Sequence, residues 1–67
     1  MPYVNVRITR EGATLDQKRR IIAGVTDLLV DVLAKDPATT FVVIDEVAVE
    51  DWGVGGVPAD EHRRRAR

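Results

Sequence analysis

The chain contains no cysteine, and only three of its 67 residues are aromatic: Tyr3, Phe41 and Trp52. No apolar run approaches the 18 or so residues of a membrane-spanning helix. Each absence removes a class of protein. Without cysteine there is no disulfide framework, and the lone His62 lies in a polar stretch with no partners at metal-ligand spacing, so no metal is expected. The N-terminus has no basic segment leading into an apolar one, so no signal peptide or membrane anchor is expected, and the reading is a soluble, cytoplasmic protein. The scarcity of aromatics leaves little with which to stack nucleic-acid bases.

Shortness is a further constraint. A domain of this size buries only about 60% of its unfolded surface and is marginal alone. The usual supports are disulfides, metals or oligomerisation. With the first two gone, self-association is the expected one, giving a homo-oligomer. Charge points the same way about partners: residues 1–59 hold six Lys/Arg against nine Asp/Glu, whereas residues 60–67 hold four Arg against two acids. A nucleic-acid binder usually carries its basic face on the folded body. Here only His62, Arg63, Arg64, Arg65 and Arg67 would make a basic fringe, so a nucleic-acid partner is not expected.

What is present has clear periodicity. From Pro2 to Thr9 the residues alternate, Val4, Val6 and Ile8 against Tyr3, Asn5, Arg7 and Thr9, which predicts a strand with one apolar face. Arg10 to Ala13 form a loop. Thr14-Leu15-Asp16-Gln17 matches a capping box. Apolar residues at 15, 22, 25, 29, 32 and 33, flanked by Ile21 and Leu28, predict a helix of about five turns to Ala34. Lys18, Arg19, Arg20, Asp27 and Asp31 take its solvated surface. Gly24 reads as a point of close packing, and Asp36-Pro37 as the stop.

Thr40 to Val49 predicts a second strand, apolar enough to be covered on both faces. Strand, helix, strand reads as a right-handed β-α-β unit with parallel strands. One helix covers one face only, so either Phe41, Val43 and Val47 or Val42 and Ile44 require another copy of the chain. Asp45 and Glu46, adjacent on a strand, point to opposite faces and do not form a catalytic dyad; they read as edge or intersubunit acids. Glu50 to Pro58, with Trp52 and three glycines, predicts a hairpin or flap carrying an aromatic. Trp52 is either a pocket residue or interface filling. The fold class is therefore α+β, a single domain over 1–67 that assembles through its sheet, with 58–67 as a charged, poorly ordered tail.

The combination of Met1-Pro2-Tyr3-Val4-Asn5-Val6, Glu11-Gly12, Gln17-Lys18, Val42-Val43-Ile44-Asp45-Glu46-Val47 and Trp52-Gly53-Val54-Gly55-Gly56 resembles the 4-oxalocrotonate tautomerase family over residues 2 to about 57. The resemblance implies a short β-α-β chain assembling from dimers, commonly into hexamers. It implies cofactor-free keto–enol tautomerisation of a small carboxylic acid. Removal of Met1 would leave Pro2 with a free secondary amine, and that amine would be the general base. The base must be neutral to accept a proton, which requires apolar surroundings or a neighbouring cation. Trp52 matches the family's pocket aromatic.

The chain departs from the family where substrate is bound. Ala13 and Phe41 occupy positions where well-studied members carry arginine. Arg10, in the same loop, and Arg7, on the first strand, are the candidates to supply the missing positive charge, and either can equally be a solvated arginine. Three other readings follow. A hydratase or dehalogenase would use the same proline with Glu50 or Asp51 activating water. A scaffold or binding protein would keep the fold without activity. In the third, the arginine-rich end binds nucleic acid.

Overall fold

A computed structural model describes residues 1–65. Strand β1 (Tyr3–Thr9) leads to helix α1 (Leu15–Leu33), strand β2 (Phe41–Val47), a short hairpin of β3 (Gly53–Val54) and β4 (Val57–Pro58), and helix α2 (Ala59–Arg65). β1 and β2 are parallel, in a register that sets Tyr3 beside Phe41, Val6 beside Ile44 and Thr9 beside Val47. The helix between them makes this the expected β-α-β unit.

The capping box forms as the sequence predicts. Gln17 N–H donates to Thr14 Oγ1 at 3.1 Å, and Thr14 N–H donates to Gln17 Oε1 at 2.9 Å. The helix ends one residue early, because Ala34 turns left-handed at φ 53° and donates back to the carbonyls of Leu29 and Val30. Asp36-Pro37 then opens a 3-10 turn over Pro37–Thr39, with Asp36 Oδ1 accepting from Ala38 N–H at 2.9 Å. Thr40 closes that turn by donating its hydroxyl to the Asp36 carbonyl, so β2 starts at Phe41 rather than Thr40. At its other end Val49–Asp51 form a second 3-10 turn, so the strand stops at Val47 rather than Val49.

The helix places Ile21, Val25 and Leu29 towards the sheet, while Leu15, Leu28, Val32 and Leu33 remain exposed. The apolar stripe is thus wider than one sheet can cover. Lys18 belongs to the covered side, not to the solvated one expected from sequence. It pairs with Glu46 of β2, and both side chains are largely shielded. The acid on the other face, Asp45, accepts from Asn5 Nδ2 at 2.7 Å within the same protomer. The two acids do point to opposite faces, and each has an intrachain partner. Gly24 is not a packing point within the protomer, since a Cβ there would meet nothing within 4 Å.

The sheet is covered on one side only. Val42 and Ile44 face α1, whereas Tyr3, Phe41 and Val43 are 63%, 50% and 42% exposed on the other face. Ala59 is the one buried apolar residue among those described. The radius of gyration is 15.4 Å, against about 11 Å for a compact chain of this length. This protomer is an open layer with most of its apolar surface uncovered.

The expected tail is a correction. Pro58 closes the hairpin and residues 59–65 are helical, while Ala66 and Arg67 lie outside the described residues. A seven-residue helix is too short to be stable by propensity. This one is held by tertiary contacts: Ala59 is buried and its N–H donates to the Trp52 carbonyl at 2.7 Å. Two i,i+4 pairs, Asp60–Arg64 at 3.5 Å and Glu61–Arg65 at 3.0 Å, add local support. The hairpin before it turns on Gly55 and Gly56, both at positive φ, as a two-residue turn between twisted strands requires.

Candidate active site

Pro2 stands at the N-terminal edge of the sheet. A strand's first position suits proline because no ladder N–H is lost there. Its carbonyl accepts from Phe41 N–H at 2.9 Å, which fixes the residue to β2. Pro2 is half-buried, while Met1 is 85% exposed and reaches away from the fold. The neighbours that share this edge, Tyr3 and Phe41, are large and apolar.

Arg7 lies on the uncovered sheet face, directly across from Asp45, with its guanidinium 3.5 Å from that carboxylate. Arg10 is at the opposite end of the strand from Pro2. Its N–H donates to the Val47 carbonyl at 2.7 Å, and its Nη2 to the Glu46 carbonyl at 3.3 Å. It makes no ion pair among the described residues, so of the two arginines it has the charge left uncompensated. Trp52 is half-buried after the second 3-10 turn and leads into the hairpin. Glu50 and Asp51 are exposed on that turn.

The loop after β1 carries a polar cluster that sequence reading did not anticipate. Glu11 accepts from the Thr9 hydroxyl and pairs with Arg63 of α2, whose Nη2 lies 3.1 Å from Glu11 Oε2. The Arg63 hydrogen bond, with the Thr9 hydroxyl second, holds the Glu11 carboxyl at about 2, well below the usual 4.5. The same contact raises the Arg63 guanidinium. The cluster ties the β1–α1 loop to the C-terminal helix. Arg64 and Arg65 are likewise paired, with Asp60 and Glu61. The three described arginines of the predicted basic fringe therefore face carboxylates.

Two adjoining grooves open beside this cluster. One, of about 470 Å³, is lined by Ile8, Thr9, Glu11, Gly12, Ala13 and Gln17. The other, of about 440 Å³, is lined by Ala13, Gln17, Arg20 and Ile21. Neither is lined by Pro2, Arg7, Arg10 or Trp52. Gln17 and Arg20 were readable only as a cap residue and a solvated cation. Their signal was spacing: residues 14, 17 and 20 run along one edge of a helix.

A single protomer thus does not assemble the residues expected to act together. β1 has seven residues, and the steps from Pro2 to Arg10, at about 3.3 Å each, separate the two by about 26 Å. Trp52 follows the end of β2 that is in register with Thr9, and α2 is anchored to Glu11, so the hairpin belongs to the Arg10 end.

A parallel β-α-β layer whose first strand opens on a proline, with a glycine hairpin after the second strand, defines a small and specific class of α+β protein. A family model described as Tautomerase enzyme matches residues 2–61. The chain is 58% identical over 66 residues to "Probable tautomerase K2" of Dickeya dadantii, covering 98% of each. It is 38% identical over 61 residues to a 2-hydroxymuconate tautomerase of Pseudomonas putida, covering 91% of this chain and 95% of that one. The crystal structure of DmpI from Helicobacter pylori superposes with a TM-score of 0.87 at 40% identity, covering 94% and 97%. The chain belongs to the tautomerase family, in its 4-oxalocrotonate/2-hydroxymuconate branch.

Proposed function

We propose that this protein is a cofactor-free keto–enol tautomerase acting on a small 2-hydroxydienoate or enol-pyruvate-type acid, with Pro2 as general base after removal of Met1. The observation that supports it best is the placement of Pro2. The family match begins at this residue, and its carbonyl is fixed to β2 while its nitrogen stands at the edge of the sheet. Once Met1 is removed, that nitrogen is a secondary amine. It takes the proton from the enol hydroxyl and delivers it to a carbon of the conjugated chain, leaving a ketone. Tyr3 and Phe41 beside it are uncovered in the protomer; covered by another copy, they would give the amine the apolar surroundings that disfavour its charged form. The developing enolate requires positive charge, and Arg10 is the expected arginine whose charge no carboxylate among the described residues compensates.

Function in this reading requires assembly. The uncovered sheet face and the open shape of the protomer support a homo-oligomer, dimer-based or hexameric, in which one copy brings its Pro2 to the Arg10 and Trp52 end of another. Trp52 then excludes water from the proline. The test is direct. Intact mass is expected to show loss of Met1, and Pro2→Ala to lower kcat/KM for phenylenolpyruvate or a 2-hydroxydienoate by about 100-fold or more. Activity that survives Pro2→Ala removes the proline from the role of base. A processed wild type with no turnover of either substrate favours a binding protein that kept the fold.

A further inference from the structure

We propose that the groove at the start of α1 is a carboxylate-binding subsite, in which Arg20 and the side-chain amide of Gln17 hold an acid group of the ligand. Four observations carry this. The groove is lined by Ala13, Gln17, Arg20 and Ile21, two apolar residues and two donors. Arg20 has no ion-pair or hydrogen-bond partner among the described residues, although Asp16 stands one turn earlier on the same helix; the ion pairs present involve Arg7, Lys18, Arg63, Arg64 and Arg65. The capping box holds Gln17 by its Oε1, which accepts from Thr14 N–H, so both N–H donors of its amide stay available and the side chain is already positioned. Lastly, Glu11, the one carboxylate lining the adjoining groove, is occupied by Arg63 and Thr9 and does not compete for Arg20.

The chemistry that fits is an anion with two coplanar oxygens. A guanidinium meets a carboxylate through two parallel N–H···O bonds, and the Gln17 amide supplies a third donor. The small side chain of Ala13 leaves the space between the two grooves open, so a ligand's hydrocarbon chain can run from Arg20 across Ala13 towards Ile8. The subsite therefore selects small acids with an apolar body. That the acid is also the one undergoing tautomerisation rests on the function proposed above; the subsite itself does not.

The test uses the full-length assembled protein and fumarate as an unreactive probe. In nitrogen-15 NMR, fumarate is expected to shift the Gln17 side-chain amide and the Ala13 backbone signal. Arg20→Gln is expected to weaken binding about five- to tenfold, Arg20→Lys less, and Arg19→Gln little. In kinetics with phenylenolpyruvate, Arg20→Gln is expected to raise KM by a similar factor with kcat within about twofold. Fumarate that leaves Gln17 unmoved in the wild type overturns the subsite. So does an affinity unchanged in Arg20→Gln, or lost equally in Arg19→Gln. Fumarate binding that depends on Arg20, in a protein that turns over no enol acid, keeps the subsite and overturns the tautomerase reading.

Discussion

The two ends of the β1–β2 sheet are built on different principles. At the end where the strands begin, Pro2, Tyr3 and Phe41 meet, apolar and largely uncovered, with a single backbone hydrogen bond from Phe41 N–H holding Pro2 in place. At the end where they finish, Arg10 donates to the Glu46 carbonyl of β2, while Thr9 and Arg63 hold Glu11 and so tie the first loop to α2. The polar contacts of the second end form within one protomer, with only the Arg10 charge left uncompensated among the described residues, whereas the apolar residues of the first end stay uncovered. Polar groups that pair within a chain leave nothing for a partner to satisfy, whereas an uncovered apolar edge gains most of its stabilisation by meeting another surface. The end that carries the proposed base is the one whose apolar surface is left for another copy to cover.

This contrast can be broken in steps of decreasing effect. The largest follows from introducing charge on the uncovered face. Val43→Asp is expected to disfavour assembly by about 3–5 kcal/mol per copy, because an unpaired carboxylate would be buried. Sedimentation velocity should then show the protomer mass, with activity lost in parallel. An unchanged oligomer would mean that the copies meet elsewhere.

A smaller effect is expected at the self-contained end. Thr14→Ala removes the hydroxyl that caps α1 and is expected to cost about 1 kcal/mol in urea unfolding. It also loosens the loop that frames both grooves. A loss of oligomer rather than of protomer stability would show that this end, too, is held by neighbours.

The smallest effect concerns pH. Glu11 titrates at about 2 in the folded chain against an ordinary 4.5, so its contribution is present above the unfolded value and fades as pH falls from about 4.5 to about 2. Because the Glu11–Arg63 pair lies at the surface, where solvent screens it, the change is expected to be slight. In thermal unfolding, Glu11→Gln is expected to flatten the acid limb of the stability curve over that window. Identical slopes for the two proteins would show that the Arg63 contact is too loose in solution to hold the carboxylate.

How far these features were legible depends on the range over which each is decided. The alternation Val4-Val6-Ile8, the Thr14–Gln17 box and the Gly55-Gly56 turn are local, so neighbouring residues suffice to read them. The ends of β2 were set too wide, because Thr40 is claimed by Asp36 and the chain beyond Val47 turns into a 3-10 segment. The helix over 59–65 was read as a tail because its six charged or polar residues after Ala59 do not announce what holds them. Ala59 is buried and bonded to the Trp52 carbonyl, and Arg63 reaches Glu11, 52 residues earlier. Lys18 was misread for the same reason, since its partner Glu46 lies on another element.

Pro2 was legible at once as a residue with chemical potential, and the motifs that follow it are sufficient to place the chain in its family. Sequence alone therefore determined the two strands, the long helix between them, the hairpin, the parallel pairing and the need for a second copy, because these follow from periodicity, caps and the balance of apolar surface. Only the tertiary structure decided that Pro2 and Arg10 lie at opposite ends of one sheet. It also decided that Asp45 occupies Arg7 while Arg10 and Arg20 have no carboxylate partner among the described residues. Those outcomes depend on distances between side chains far apart in the chain, which no local pattern encodes.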